Sequence, residues 1–185
     1  MSNRLNLHFS HIGFFARDLA KMTDFYTRVL GFTVTDRGDL AMPGGGSINM
    51  TFLSRDPEDH HQIALIDGRS PAQSAGASFL QQCSFKVADL TTLKKLLVSL
   101  KNEGCGNIRT LTHGNAVSIY ALDPDGNNLE FFVDTPWHVT QPMREPIDLT
   151  VSEAEILAAA EKHARAQPGF TTRAARLAEM AKVMG

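Results

Sequence analysis

A displacement of 71 residues lays this chain on itself: His11-Ile-Gly-Phe-Phe-Ala-Arg-Asp18-Leu19 falls on Gln82-Cys-Ser-Phe-Lys-Val-Ala-Asp89-Leu90. In each copy an alternating apolar stretch ends at Asp-Leu and gives way to helical spacing, the pattern of a strand, a helix cap and a helix. Duplication of such a unit places equivalent side chains at equivalent points of two half-sheets, so His11 answers to Gln82. Function is then expected where the halves meet.

The first copy reads as βαβββ. Leu7 to Phe15 is a strand, and Asp18 caps a helix carrying Leu19, Met22, Phe25, Tyr26, Val29 and Leu30 at helical spacing until Gly31 stops it. Strands follow at residues 32–35, 48–53 and 62–66, with the Gly44-Gly-Gly run as a hairpin connection. Residues 69–79, rich in Ser, Ala and Gly, read as a linker. The order then repeats: a strand at 81–87, a helix from Asp89 to Gly104 with a leucine face, and strands near 107–112, 115–122 and 128–133 around an Asp123-Pro-Asp-Gly-Asn turn. Residues 135–185 have no counterpart in the first copy. There, Ser152-Glu-Ala-Glu155 predicts a capping box, a helix over 153–166 and, beyond Pro168-Gly169, a last helix through Met184.

Composition removes several classes of function. A formal charge of −2 with Lys and Arg scattered along the chain leaves no basic footprint for nucleic acid. No apolar run reaches the roughly 18 to 20 residues that span a bilayer, so no membrane partner and a cytoplasmic location are expected. Cys83 and Cys105 lack CxxC spacing and read as free thiols.

The two units, the opening FSHIGFFARDLAKMTDFYTRVLGF and the closing YALDPDGNNLEFF together resemble the vicinal oxygen chelate superfamily of glyoxalases, bleomycin-resistance proteins and extradiol dioxygenases. The resemblance runs over roughly residues 7 to 134. It implies an α+β fold: two βαβββ modules, about 7–68 and 80–134, forming an open, curled mixed sheet around a central cavity, followed by a helical tail over 135–185. Within the superfamily the chain is most similar to the catalytic module of extradiol dioxygenases, which cleave catechols beside the diol. That likeness implies a small aromatic substrate, dioxygen and a homodimer.

The same resemblance implies the site. His11 matches the first metal ligand and Glu130 the carboxylate ligand, while Gln82 stands where the second histidine is expected. Two imidazoles and a carboxylate suit Fe(II), which the resemblance therefore names; an amide oxygen is a harder donor, so Mn(II), Zn(II) or Ni(II) are alternatives. His61 matches the pocket base and Tyr120 the tyrosine that hydrogen-bonds substrate. The other pocket histidine of the family falls at Leu111, and His113, two residues on, shares its strand parity.

The residues also carry plainer readings. Glu130, flanked by Leu129 and Phe131, could face solvent, although a carboxylate among apolar neighbours demands a cation or donors. His11 could be a hydrogen-bonded strand histidine, Gln82 a filler of the vacated position, Tyr120 a core residue, and His61 a surface residue if it does not alternate inward with Ile63 and Leu65. Three functions remain open on these residues. One is an extradiol-type dioxygenase, and the second is a glyoxalase-like isomerase, lyase or hydrolase using a non-redox divalent metal. The third is a metal-free small-molecule binder.

Overall fold

The computed structural model of the chain describes residues 8–69 and 80–184, so most of the Ser/Ala/Gly-rich linker lies outside the described residues. The chain divides into two compact units, the first running to Gln81 and including the 123–127 turn, the second comprising residues 82–122 and 128 onward.

In the first unit, Asp18 takes extended backbone and accepts the Lys21 N–H at 2.9 Å, starting helix α1 (Leu19–Asp24) where the Asp-Leu pair predicts it. The last turn (Phe25–Val29) widens to a π-helix, closed by the Leu30 N–H to the Phe25 carbonyl at 3.3 Å, and Gly31 ends it at φ +71°. Four strands, β1 (Ile12–Ala16), β2 (Thr33–Ala41), β3 (Ser47–Ser54) and β4 (Ile63–Asp67), lie in the order β1-β4-β3-β2. β1 and β4 are parallel and the other pairs antiparallel. Phe14, Ile63 and Leu65 on one face of this sheet are buried with Met22, Phe25 and Tyr26 of the helix.

Several strand boundaries differ from the sequence reading, and the strand that begins at Cys83 leaves Gln82 before it. β1 begins at Ile12, so His11 precedes the strand. β2 runs on to Ala41, six residues past the predicted end, because it pairs with β3 as one long hairpin despite being polar and exposed.

The Asp123–Asn127 turn is a hydrogen-bonded knot within the first unit. Asp123 is buried and accepts from the Asp125 and Asn127 N–H groups, the Asn127 amide and the Tyr26 hydroxyl. Burial still pushes its carboxyl above the ordinary range, against the lowering effect of those donors. Asp125 accepts the Arg17 N–H at 2.7 Å, and Arg69 donates to the Asp125 carbonyl at 3.1 Å and to Asn127 at 3.0 Å.

The second unit repeats the topology. Strands β5 (Cys83–Lys86), β6 (Arg109–Thr112), β7 (Ala116–Leu122) and β8 (Asn128–Asp134) lie in the order β6-β7-β8-β5, with β5 and β8 parallel. Helix α2 (Leu90–Asn102), capped by Asp89 on the Thr92 N–H at 2.7 Å, buries Leu90, Leu93, Leu97 and Leu100, while the predicted Leu96 is half-buried.

The segment after 134 joins this second unit. Strands β9 (Trp137–His138), β10 (Glu145–Pro146) and β11 (Thr171–Thr172) follow; β10 extends the second sheet beside β6, and β11 pairs with β9. Helix α3 (Glu153–Arg165) starts with the predicted Ser152–Glu155 capping box and buries Ile156, Ala160 and Ala164. Val139, Met143 and Ala164 form a small core against Trp137 and Phe170. Helix α4 (Arg173–Met184) follows β11. No helix among the described residues is long and apolar enough to cross a membrane.

Gly114 turns the chain from β6 into β7 at φ +73°, where an added Cβ would meet Val139 Cγ2 at 2.6 Å. Gly114→Ala therefore combines a left-handed backbone penalty with a clash in the tail core, and a loss on the order of 2–4 kcal/mol is expected in urea unfolding.

Candidate functional site

In the second unit the hairpin register sets the chemistry. With the turn centred on Asp125, β7 and β8 pair Tyr120 opposite Glu130, and the parallel pairing of β5 with β8 sets Ser84 beside Glu130. Glu130 is 8% exposed and is hydrogen-bonded on both oxygens. Tyr120 donates its hydroxyl to Oε1 at 2.7 Å, and Gln82 Nε2 and Ser84 Oγ each donate to Oε2 at 2.7 Å. Burial first, then the bond to Glu130 and its charge, push the Tyr120 phenol far above its ordinary range.

His113 continues the chain of contacts. Its Nδ1 lies 2.7 Å from the Met143 carbonyl and its Nε2 lies 3.1 Å from the Tyr120 hydroxyl and 3.7 Å from Glu130 Oε1. The carbonyl can only accept, so Nδ1 carries a hydrogen. Tyr120 has one hydrogen to give, and its shorter contact is to Glu130. All three bonds, from Met143 through His113 and Tyr120 to Glu130, are then satisfied when the chain holds one proton beyond a neutral imidazole and a carboxylate. Arg109 lies over the Tyr120 ring, 5.2 Å from its centroid.

Ser118 shares the Tyr120 face of β7, is fully buried and has no hydrogen-bond partner for its hydroxyl. A buried orphan hydroxyl costs about 1–3 kcal/mol, which sets it apart from the satisfied groups around Glu130.

The first unit gathers imidazoles. The His11 and His61 ring centroids are 4.3 Å apart, and His61 lies 5.0 Å from the Phe52 ring. His60 joins them, with Nδ1 2.9 Å from His61 Nδ1 and Nε2 3.8 Å from Asp36. His11 Nδ1 is 3.1 Å from Ser10 Oγ; with Nδ1–H donating there, Nε2 carries the lone pair. Partial burial, then the neighbouring His11 and His60, lower the His61 pKa, which favours its neutral form. The alternation argument for His61 fails. It precedes β4, and Ile63 and Leu65 belong to the buried face while His61 meets Phe52 and His11.

Thus Gln82, Glu130, Tyr120 and His113 come together in the second unit, and His11 and His61 in the first. Ser84 was not singled out in the sequence, and its only mark is the two-residue spacing from Gln82 that puts both on one face. Among the described residues, no group of three or more His, Cys, Asp or Glu side chains is gathered to hold an ion. Within the second unit Glu130 has roughly four lone-pair positions of which three are used, and Gln82 keeps its carbonyl oxygen; the first unit separately supplies the His11 and His61 imidazoles. Carboxylate, amide-carbonyl and imidazole groups are donor types that a divalent cation takes.

The family model for the glyoxalase/bleomycin resistance protein/dioxygenase superfamily matches residues 8–131. The chain belongs to that superfamily. It is 28% identical over 143 residues to biphenyl-2,3-diol 1,2-dioxygenase 2 of Rhodococcus globerulus, covering 75% of this chain and 70% of that enzyme. It is 29% identical over 128 residues to biphenyl-2,3-diol 1,2-dioxygenase 3 of the same organism, covering 68% of this chain but only 62% of the enzyme. Among solved structures, the trypanothione-dependent glyoxalase I of Leishmania major matches with a TM-score of 0.55 at 20% identity, over 69% of this chain and 87% of that one. The fold is therefore that of the superfamily, as the repeated βαβββ units imply.

Two substitutions separate the roles of adjacent hydroxyls. Tyr120→Phe strips Glu130 Oε1 of its donor in a buried setting and should cost about 1–3 kcal/mol in urea unfolding. Ser118→Ala removes an unsatisfied group and should leave stability unchanged or raise it by up to about 1 kcal/mol.

Proposed function

We propose that this chain is a metal-dependent, ring-cleaving dioxygenase of the extradiol type acting on a catechol-type aromatic compound. The observation that carries the reading is the Glu130 cluster, with Tyr120 and His113 hydrogen-bonded in series to a buried carboxylate, in a chain similar to two biphenyl-2,3-diol dioxygenases.

His11, Gln82 and Glu130 are the residues that would hold the ion, Fe(II) by family resemblance. When bound, such an ion supplies Lewis acidity towards the diol oxygens and a redox couple for dioxygen. The rest falls to the polypeptide. His61, its pKa lowered by partial burial and the neighbouring imidazoles, accepts a proton from a substrate hydroxyl. Tyr120, held un-ionised by burial, donates a hydrogen bond to substrate oxygen when it turns from Glu130. His113 Nε2, 3.1 Å from the Tyr120 hydroxyl, positions that hydroxyl. A homodimer and a cytoplasmic setting accompany this reading by resemblance.

A second reading, a glyoxalase-like isomerase, lyase or hydrolase with a non-redox divalent ion, is favoured by one residue: Gln82, an amide where the dioxygenase pattern has histidine.

The discriminating experiment takes protein purified without chelators and reconstituted with Fe(II), Mn(II), Zn(II) or Ni(II), and follows oxygen uptake and a yellow ring-fission product over a panel of catechols including biphenyl-2,3-diol. Uptake with Fe(II) or Mn(II), abolished by Glu130→Ala together with bound metal and lowered on the order of 10²-fold in kcat by Tyr120→Phe, is the expected result. Bound metal without oxygen uptake, together with turnover of a thiol–ketoaldehyde adduct, moves the assignment to the second reading. Failure to bind any of the four ions would make the chain a binding protein.

A further inference from the structure

The second unit holds a cleft of about 140 Å³ remote from Glu130, lined by Asn115, Asp134, Trp137, His138, Arg173, Arg176 and Leu177. Asp134 lies four residues beyond Glu130 on β8, roughly 13 Å along an extended strand. The cleft therefore has its own floor and walls, supplied by the end of β8, by β9 and by the start of α4.

Its lining has an uneven charge. Asp134 is the one carboxylate, and it is already bound by Arg173 at 2.8 Å and by the Lys86 ammonium. Among the described residues, Arg176 is tied to Glu179, an i,i+3 pair at 2.8 Å whose acid is 63% exposed. An exposed pair of this kind is worth about 0–1 kcal/mol, so the Arg176 fork can be turned to another anion at little cost. His138 and Asn115 also line the wall, together with the half-buried Trp137 indole and the Leu177 side chain.

A guanidinium fork matches a carboxylate in two parallel hydrogen bonds, and an indole face prefers a planar ring. A cavity of about 140 Å³ is close in size to an apolar cavity of about 150 Å³ that takes up benzene, so it has room for one ring. We propose that this cleft is a binding site for a small aromatic carboxylate, its ring against Trp137 and its carboxylate on Arg176.

Trp137 is the single tryptophan of the chain, so its fluorescence reports the site without labelling. The full-length protein is titrated with benzoate, and with benzyl alcohol and inorganic phosphate at matched concentration and ionic strength. Saturable quenching by benzoate alone is expected, weakened at least 10-fold in Arg176→Gln and to a smaller degree in Arg176→Lys, with far-ultraviolet circular dichroism confirming that both variants fold. Calorimetry on Trp137→Phe should show weakened benzoate binding. An equal response to benzyl alcohol would make the site merely apolar, and an equal response to phosphate merely cationic; either overturns the proposal, as does unchanged binding by Arg176→Gln. Glu130→Gln, which disables the proposed active site, must leave the benzoate titration as it is. Its loss in that variant would place the signal at the Glu130 cluster and sink the second site, whereas absence of dioxygenase activity has no bearing on it.

Discussion

A carboxylate buried in a β-sheet has to be met by donors or a cation, and Glu130 is met by three donors at 2.7 Å. Two of them arrive by strand register alone. The Asp-Pro-Asp-Gly-Asn turn pairs Tyr120 across from Glu130, and the parallel approach of β5 brings Ser84 level with it. Slipping either pairing by one residue would turn these side chains to the opposite face and leave the acid unpaired. The dense hydrogen bonding of the turn, centred on Asp123, is what makes such a slip costly.

Much of the fold was legible because its signals are local. Asp18 and Asp89 cap helices where the repeat places them, the Ser152–Glu155 box starts α3, and the apolar spacing of both main helices corresponds to buried faces. What escaped depends on partners distant in sequence. β2 is polar along most of its length and becomes a strand by pairing with β3, and β10 is a two-residue edge that exists only because β6 is free to receive it. The π-turn at Phe25 to Val29 likewise has no local signature, since the same residues read equally well as an ordinary helical turn.

The site shows the same division. The ten-residue spacing from Tyr120 to Glu130 around a tight turn is a register statement, so their contact could be read from the chain. His113, standing two residues from the family position at Leu111, does reach Tyr120, but it does so from beyond the end of β6, with the Met143 carbonyl fixing its ring. Strand parity thus pointed to a residue that touches Tyr120, although His113 lies outside the strand whose parity was used. For His61 parity misled, because an alternation inferred for β4 was carried past its first residue. Ser84, a small hydroxyl, announces nothing until the residue across from it is known.

The replacement that most distinguishes the two halves, Gln82 for an imidazole, can be judged from the bonds it makes. A neutral imidazole has one N–H to offer; the Gln82 amide nitrogen reaches both Glu130 and Ser84 and still leaves a carbonyl oxygen on the side chain. Position 82 thus tethers the acid as well as offering a hard donor. At the equivalent position His11 meets Ser10 and a second imidazole. One half of the duplicated framework has become a buried carboxylate met by hydroxyl and amide donors, the other a set of imidazoles in which burial and neighbouring rings lower the His61 pKa. The repeat supplied two equivalent places, and the side chains gave them different chemistry.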